Sequence, residues 1–251
     1  MSKKNIRTAS VTFDSNTGTL TILGSDARDV VTINRIGDNI KATLKNPDGT
    51  YFKTVAASSL KSIIFSGFAG NDSFTNNTSV DCEVDGGSGA DVIKGGGGDD
   101  ILIGKGGNDT IKGNGGYDSC EGGRGNDNID GGSANDYLRG NAGNDVLRGG
   151  VGIDSLFGDE DDDDVYGDDG DDSCHGGEGN DDIFGGSGND DCYGEDGDDD
   201  IDGDTGSDII NGGEGDDDDL DDDDDFDDID EEDDGDDDGD DNDDDNDNDD
   251  D

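Results

Sequence analysis

Apolar and polar residues alternate with a period of two through residues 8–66. Turn-forming residues interrupt the alternation at 16–18, 24–26, 37–39 and 46–49. Strict alternation is typical of half-buried strands, so this segment is predicted to form a run of short β-strands, and no helical period is present. The apolar residues of the predicted strands are Val11 and Phe13, Leu20 and Ile22, Val31 and Ile33, Ile40, Ala42 and Leu44, Tyr51 to Val55, and Ile63 to Phe65.

From Gly86 onward the period of the apolar positions changes from two to nine. Residues 86–211 contain fourteen consecutive repeats of the form G-G-x-G-x-D-x-U-x, where U is apolar, and a fifteenth repeat at 212–220 keeps the register. Neighbouring side chains of a strand face opposite sides, so positions seven to nine are predicted to form a three-residue strand with U in the core. The U residues are Ile93, Leu102, Ile111, Cys120, Ile129, Leu138, Leu147, Leu156, Val165, Cys174, Ile183, Cys192, Ile201 and Ile210.

The glycines and aspartates of the repeat predict a metal-binding loop. Glycine at positions one, two and four lets the backbone adopt positive φ and turn its carbonyl oxygens inward. Position six is Asp in all fifteen repeats. Calcium is bound by carboxylate and backbone carbonyl oxygens, so the residue types and their spacing favour calcium ligation. A solvated acidic face is the alternative interpretation.

This nonapeptide resembles the repeat of the RTX, or hemolysin-type calcium-binding, proteins, and the resemblance covers about half of the chain. It implies an all-β fold, a right-handed parallel β-roll with two repeats per turn of the solenoid and calcium between stacked loops. Each ion would bridge repeats n and n+2, which gives at most thirteen sites.

The β-roll would divide the position-six carboxylates between its two edges. The ligands of one edge would be Asp91, Asp109, Asp127, Asp145, Asp163, Asp181, Asp199 and Asp217. Those of the other edge would be Asp100, Asp118, Asp136, Asp154, Asp172, Asp190 and Asp208. The backbone carbonyl ligands would come from Gly86, Gly95, Gly104, Gly113, Gly122, Gly131, Gly140, Gly149, Gly167, Gly176, Gly185, Gly194 and Gly203. Two loops have Ala134 and Asp161 in place of glycine at position four, and we expect the weakest sites there.

Residues 1–85 are predicted to form a β-rich amino-terminal cap that continues into the roll, because a solenoid needs its open edge covered. A separate small β-domain is the alternative. Residues 24–32 and 67–75 already echo the repeat, whereas residues 77–85 have Cys82 at position six and should bind calcium poorly.

Composition limits how such a chain can fold. Only 25% of the residues are hydrophobic and the net charge is −57; residues 1–66 carry +4 and the remainder −61. Like charges at this density oppose compaction, so residues 86–220 are predicted to be largely disordered until calcium binds and folds them into the roll. The same charge excludes nucleic acid as a partner. Residues 221–251 are almost entirely acidic and are predicted to form a disordered tail.

The cysteines and the single histidine suggest no catalytic site. Three of the four cysteines occupy U positions, which favours small core residues. Cys174 and Cys192 lie one predicted turn apart, so a disulfide is the alternative for that pair. His175 falls at position nine, facing solvent, and the chain has no H-E-x-x-H or G-x-S-x-G motif. The chain is therefore not expected to be an enzyme.

The leading hypothesis is a secreted, monomeric scaffold that calcium folds. Secretion is implied by the resemblance, because RTX proteins typically leave the cell by a type I route with an uncleaved carboxy-terminal signal. The end of this chain lacks the aliphatic residues of such signals, and neither a cleaved signal peptide nor a membrane span is indicated. The alternatives are an acidic protein that contacts a mineral or a cell surface, and the carboxy-terminal module of an exported enzyme.

Overall fold

The computed structural model describes residues 8–215 and 217–220, which form a parallel β-solenoid of two sheets. The strands before the repeats are β1 Ser10–Asp14, β2 Thr19–Leu23, β3 Val30–Ile36, β4 Asn39–Asn46, β5 Gly49–Ala56, β6 Ser62–Ser66, β7 Ser73–Asn77 and β8 Cys82–Ser88. The strands of the first eight repeats are β9 Val92–Gly96, β10 Ile101–Gly106, β11 Thr110–Asn114, β12 Ser119–Arg124, β13 Asn128–Ser133, β14 Tyr137–Ala142, β15 Val146–Val151 and β16 Ser155–Glu160. The remaining strands are β17 Asp164–Asp169, β18 Ser173–Glu178, β19 Asp182–Ser187, β20 Asp191–Asp196, β21 Asp200–Thr205, β22 Ile209–Glu214 and β23 Asp218–Leu220.

Successive repeats alternate between the two sheets. The even-numbered strands β8 to β22 lie side by side in one sheet and the odd-numbered strands β7 to β23 in the other. Each strand pairs in parallel with the strand two positions later, and the partners lie eighteen residues apart, as with Leu102 and Cys120. Two nonapeptides therefore make one turn, which confirms the parallel β-roll.

The strands are longer than the three residues predicted. β10, for example, runs from position seven of one repeat to position three of the next. Its glycine-containing end remains paired, with Lys105 opposite Gly123 and Gly106 opposite Arg124. Pairing with the turns on either side supplies hydrogen bonds that a single repeat cannot make, so the first positions of the loop become part of the sheet.

The core between the sheets consists of two rows of U side chains, one row from each sheet. Thirteen of the fourteen predicted U residues are buried, and Ile210 is partly buried against them. The cap contributes a wider cluster that includes Leu20, Ile22, Phe65 and Phe74, and the rings of Phe65 and Phe74 stack with centroids 5.4 Å apart. The apolar stabilisation is therefore concentrated in the cap.

The predicted strands of residues 8–66 are present as β1 to β6. β1 pairs antiparallel with β2, and β3, β4 and β5 form an antiparallel meander on the edge of the other sheet. Both sheets then continue without interruption into the repeats through β6–β8 and β7–β9 pairing. The division of the chain at residue 85 stays a prediction, and the acidic tail at 221–251 lies outside the described residues.

Helical structure is confined to one short turn in the described part of the chain. Ala57–Ser59 form a 3-10 turn between β5 and β6. No helix within residues 8–215 and 217–220 is long and apolar enough to cross a membrane.

Candidate metal centre

The position-six aspartates form two columns, one at each edge of the roll. On one edge the backbone N–H of Asp91 donates to Oδ1 of Asp109 at 2.7 Å, and Asp109 donates to Asp127 at 2.6 Å. On the other edge Asp100 donates to Asp118 at 2.8 Å. The same bond recurs every eighteen residues and reaches Asp217 on the first edge and Asp208 on the second. The two predicted sets of carboxylates are thus brought together as two continuous columns.

Each column carries buried carboxylate oxygens that have no hydrogen-bond partner. Oδ1 accepts the N–H of the previous turn, whereas Oδ2 of the same carboxylate is shielded from solvent and accepts no bond. A buried polar oxygen without a partner is destabilising, and a charged one more so. Oxygens of this kind belong to Asp91, Asp100, Asp109, Asp118, Asp127, Asp136, Asp145, Asp154, Asp163, Asp172, Asp181 and Asp190.

The space in front of these oxygens exists because position one is glycine. A methyl group on Gly104 would lie 2.2 Å from Oδ2 of Asp109 and 2.8 Å from the carbonyl oxygen of Gly122. On the other edge, a methyl group on Gly113 would meet the equivalent oxygens of Asp118 and Gly131 at 2.2 and 2.5 Å. The carboxylate of one turn and the carbonyl of the next therefore face the same small space. This placement brings position-six carboxylates and position-one carbonyls together, and in front of Gly140 it includes the carbonyl of Gly158, which was not in the predicted set.

Side chains alone do not complete a metal site. Among residues 8–215 and 217–220, no three His, Cys, Asp or Glu side chains converge around one point. Any bound cation would take its remaining ligands from backbone carbonyls or water. Oxygen-rich sets of this kind suit a hard cation such as calcium and do not suit zinc, which prefers nitrogen and sulfur.

Burial strongly perturbs the carboxyl groups of the columns. It raises the pKa of Asp118 and of Asp163 to about 8, and the pKa of Asp109 and of Asp145 to about 7. The N–H group bonded to each carboxylate acts in the opposite direction, and neighbouring carboxylates raise the pKa further. Without a cation, these groups therefore bind protons at a much higher pH than an ordinary Asp does.

We expect acidification to stabilise the metal-free roll. Between the unfolded Asp pKa of about 4 and the folded values near 7, the folded chain binds more protons than the unfolded chain. The free energy of unfolding should therefore rise as pH falls from 8 to 5. On returning to higher pH, this added stability should disappear as pH passes about 7. Circular dichroism at 218 nm on metal-stripped protein checks this.

Saturating calcium is the control for the acidification experiment. Calcium needs the ionised carboxylates, so the calcium-bound roll should instead lose stability on acidification. A metal-free β signal that is equal at pH 5 and pH 8 would contradict the expected stabilisation.

The two loops that lack glycine at position four still have positive φ there, at smaller angles than the positive-φ glycines at this position of the other loops. Ala134 and Asp161 have φ of 80° and 74°. The N–H of Ala134 donates to the carbonyl of Val151 at 2.8 Å, so this loop remains stacked on the next turn. Left-handed backbone is unfavourable for residues with a Cβ, by roughly 1–2 kcal/mol each. The expected weakness of these sites stays a prediction, with backbone strain as its physical basis.

The repeats also match a known family. The family model described as the RTX calcium-binding nonapeptide repeat matches residues 85–120, 121–156, 139–174, 157–192, 169–200 and 193–218. Together the matches span more than half of the chain. The chain belongs to the RTX calcium-binding repeat family. A comparison with curated proteins found no match.

Membership of the RTX family indicates which ion the two columns bind. RTX repeats imply calcium binding within a β-roll. The position-six carboxylates and the position-one carbonyls are the groups of this chain that would hold the ion. Calcium would supply the positive charge that the buried Oδ2 atoms lack.

The RTX loops contain a second ladder, which sequence reasoning missed. At position five the later residue donates its N–H to the side chain of the earlier one, as from Tyr117 to Asp99 at 3.0 Å and from Asn180 to Asp162 at 3.0 Å. The direction is opposite to that of the position-six bonds. The sequence did contain a sign of this ladder, because position five is mostly Asn or Asp, whose side chains can accept an N–H.

Position nine carries stacked aromatic rings on both sheets, which were also not predicted. His175 lies between Phe157 and Tyr193, with ring centroids 4.7 and 4.8 Å away, and Tyr166 stacks on Phe184 at 5.1 Å. His175 is therefore only partly exposed, rather than simply facing solvent as predicted. Residues eighteen apart at one repeat position stack, so the stacking of these rings could have been predicted from the sequence.

The cysteines behave as core residues. Cys120, Cys174 and Cys192 are buried at U positions, which confirms the leading expectation. Cys174 lies opposite Cys192 in register, but both thiols are free, so the disulfide alternative is not formed. The neighbouring Cys192 thiol, together with burial, raises the pKa of the Cys174 thiol.

Proposed function

We propose that this chain is an exported, non-catalytic scaffold in which calcium binding folds and rigidifies the roll. The observation that carries the proposal is the pair of buried columns of unpartnered carboxylate oxygens. Export is supported by the family, since RTX repeat proteins are typically exported. Cytosolic calcium is scarce, whereas extracellular calcium can fill weak sites with dissociation constants on the order of 10⁻⁴–10⁻³ M.

Equilibrium binding of calcium tests the proposal. We expect up to thirteen calcium ions per chain, and we expect magnesium to bind far less well at equal concentration. Magnesium demands an octahedral shell close to 2.1 Å and gives up its water reluctantly, so a wide carbonyl-lined loop suits it poorly. Equal binding of the two ions, or binding that a few hundred millimolar salt abolishes, would show a diffuse acidic polyelectrolyte instead.

A second candidate function is contact with a mineral surface. Asp164, Asp182 and Asp200 lie at position seven in register on one sheet, spaced by the strand separation of about 4.8 Å. Burial and the two neighbouring carboxylates raise the pKa of Asp182. A row of carboxylates at this spacing favours binding to an ordered array of cations. Deleting residues 221–251 distinguishes this function from one that depends on the acidic tail, by adsorption to a calcium mineral with folding checked in parallel.

A further inference from the structure

One column of carboxylates extends past the repeats into the cap. The N–H of Asp72 donates to Oδ1 of Asp91 at 2.7 Å, and the N–H of Asp29 donates to Oδ1 of Asp72 at 2.7 Å. These are the distances found between Asp91 and Asp109 inside the roll. The chain intervals are 19 and 43 residues rather than eighteen, and the family match begins only at residue 85. The column is therefore continuous although the repeat is not.

Asp72 has the same unsatisfied oxygen as the repeat aspartates. Its side chain is 3% exposed, and its Oδ2 accepts no hydrogen bond. A methyl group on Gly67 would lie 2.4 Å from this Oδ2 and 2.3 Å from the carbonyl oxygen of Gly86. The space in front of Gly104 is lined by the two equivalent oxygens, Oδ2 of Asp109 and the carbonyl oxygen of Gly122.

The loop of residues 67–72 also repeats the backbone of the RTX loops. Phe68 and Gly70 have φ of 74° and 122°, as Lys105 and Gly107 have 79° and 122°. Asn71 Oδ1 accepts the N–H of Ala90 at 3.3 Å, in the manner of the position-five ladder. Like the Gly104 repeat, this loop has glycine at positions one and four but not at position two, and its backbone takes the same conformation.

We propose that Asp72 and the carbonyl of Gly86 hold one further calcium ion, which joins the cap to the roll. This inference rests on the proposed function of the repeats. It adds one site to the thirteen that the repeats predict, on the edge that contains Asp91.

The column ends at Asp29. Oδ2 of Asp29 accepts the backbone N–H of Ser25 at 2.7 Å and is 3.2 Å from its hydroxyl group. Protein donors thus occupy the oxygen that would otherwise face an ion. Oδ1 of Asp29 has no hydrogen-bond partner, because no earlier turn among residues 8–28 donates an N–H to it. We therefore expect Ser25 and Asp29 to end the column without a bound ion.

Within residues 8–85, the other edge has no equivalent site. Cys82 occupies the place of the aspartate, and its N–H donates to Oδ1 of Asp100 at 2.7 Å. Its thiol is buried and lies 3.7 Å from the carbonyl of Gly95. A protonated thiol is a poor ligand for a hard cation, so the ions of this edge begin at Asp100. The repeats alone predict seven ions on the first edge and six on this one, and the additional ion increases that difference.

Calcium counting on four full-length variants tests the additional site. Asp72→Asn and Asp145→Asn keep the shape and the Oδ1 acceptor but remove the charged ligand, so each should bind one calcium fewer than the wild type in equilibrium dialysis. Asp29→Asn should bind as many ions as the wild type. Asp48→Asn makes the same charge change at an exposed turn of the cap and should also leave the number unchanged.

Hydrogen exchange provides the local readout. In saturating calcium, Asp72→Asn should lose protection in residues 67–77 and 86–91, while residues 110–190 remain protected as in the wild type. If Asp72→Asn keeps the wild-type count and protection while Asp145→Asn loses an ion, the additional site does not exist and the proposed function stands. A wild-type chain that binds no calcium would overturn both. Loss of an ion from Asp29→Asn would overturn the assignment of the end of the column.

Discussion

Removing calcium is expected to unfold most of the repeat array. Each turn adds only two U side chains to the core, whereas each turn from Asp91 to Asp190 buries two carboxylates whose Oδ2 accepts no hydrogen bond. Residues 67–251 also carry a net charge of −61, which opposes compaction. The free energy of calcium binding is therefore a large part of the free energy of folding. In chelator at pH 7.5, most of the signal at 218 nm should disappear.

The cap should respond less than the repeats to the loss of calcium. Its core includes Leu20, Ile22, Val31, Ile33 and Phe65, all buried, and its antiparallel strands pair locally. Hydrogen exchange in chelator should show residual protection in β2 to β4 and none in β11 to β21. Magnesium at the same concentration is the control and should not restore the signal. A full β signal in chelator, or its recovery with magnesium, would contradict calcium-dependent folding.

The sequence predicted the two columns from the nine-residue period together with the two repeats per turn that the resemblance to RTX proteins implies. Once two repeats make a turn, residues eighteen apart stack, and the position-six aspartates must separate into two edges. The same period predicts the buried position of residues such as Leu102 and Ile129. The strand ends were not predictable in this way. Glycines at positions one and two suggest a turn locally, but pairing with adjacent turns draws them into the strand.

The continuation of the column into the cap was the harder feature to predict. Asp29 and Asp72 stand at position six of sequences that echo the repeat, but intervals of 43 and 19 residues break the period. Strands β4 and β5 and the 3-10 turn lie in the longer interval, so the chain leaves the column and returns to it. Only the three-dimensional structure shows that Asp72 lies directly beside Asp91. Whether a loop forms a calcium site therefore depends on which residues lie next to it in the fold, and not on the nine-residue period alone.

The second large effect is expected from Gly104→Ala. The added methyl group would lie 2.2 Å from Oδ2 of Asp109 and 2.8 Å from the carbonyl of Gly122, within the space assigned to the ion. To avoid this clash, either the Asp109 carboxylate must rotate away or the next turn of the solenoid must shift. Overpacking of this kind is destabilising by about 1–3 kcal/mol. The loss of the bound ion adds to that, because binding and folding are coupled.

Gly106→Ala is the matched control in the same loop. No atom lies within 4 Å of a methyl group at Gly106, whose φ is not in the left-handed region. Its effect on the free energy of unfolding should stay within about 0.5 kcal/mol. Calcium titrations followed at 218 nm should therefore show a higher midpoint and one fewer ion for Gly104→Ala, and wild-type behaviour for Gly106→Ala. Equal midpoints for the two variants would mean that the space in front of position one does not hold the ion. A large effect of Gly106→Ala alone would place the ligands in the outer part of the loop instead.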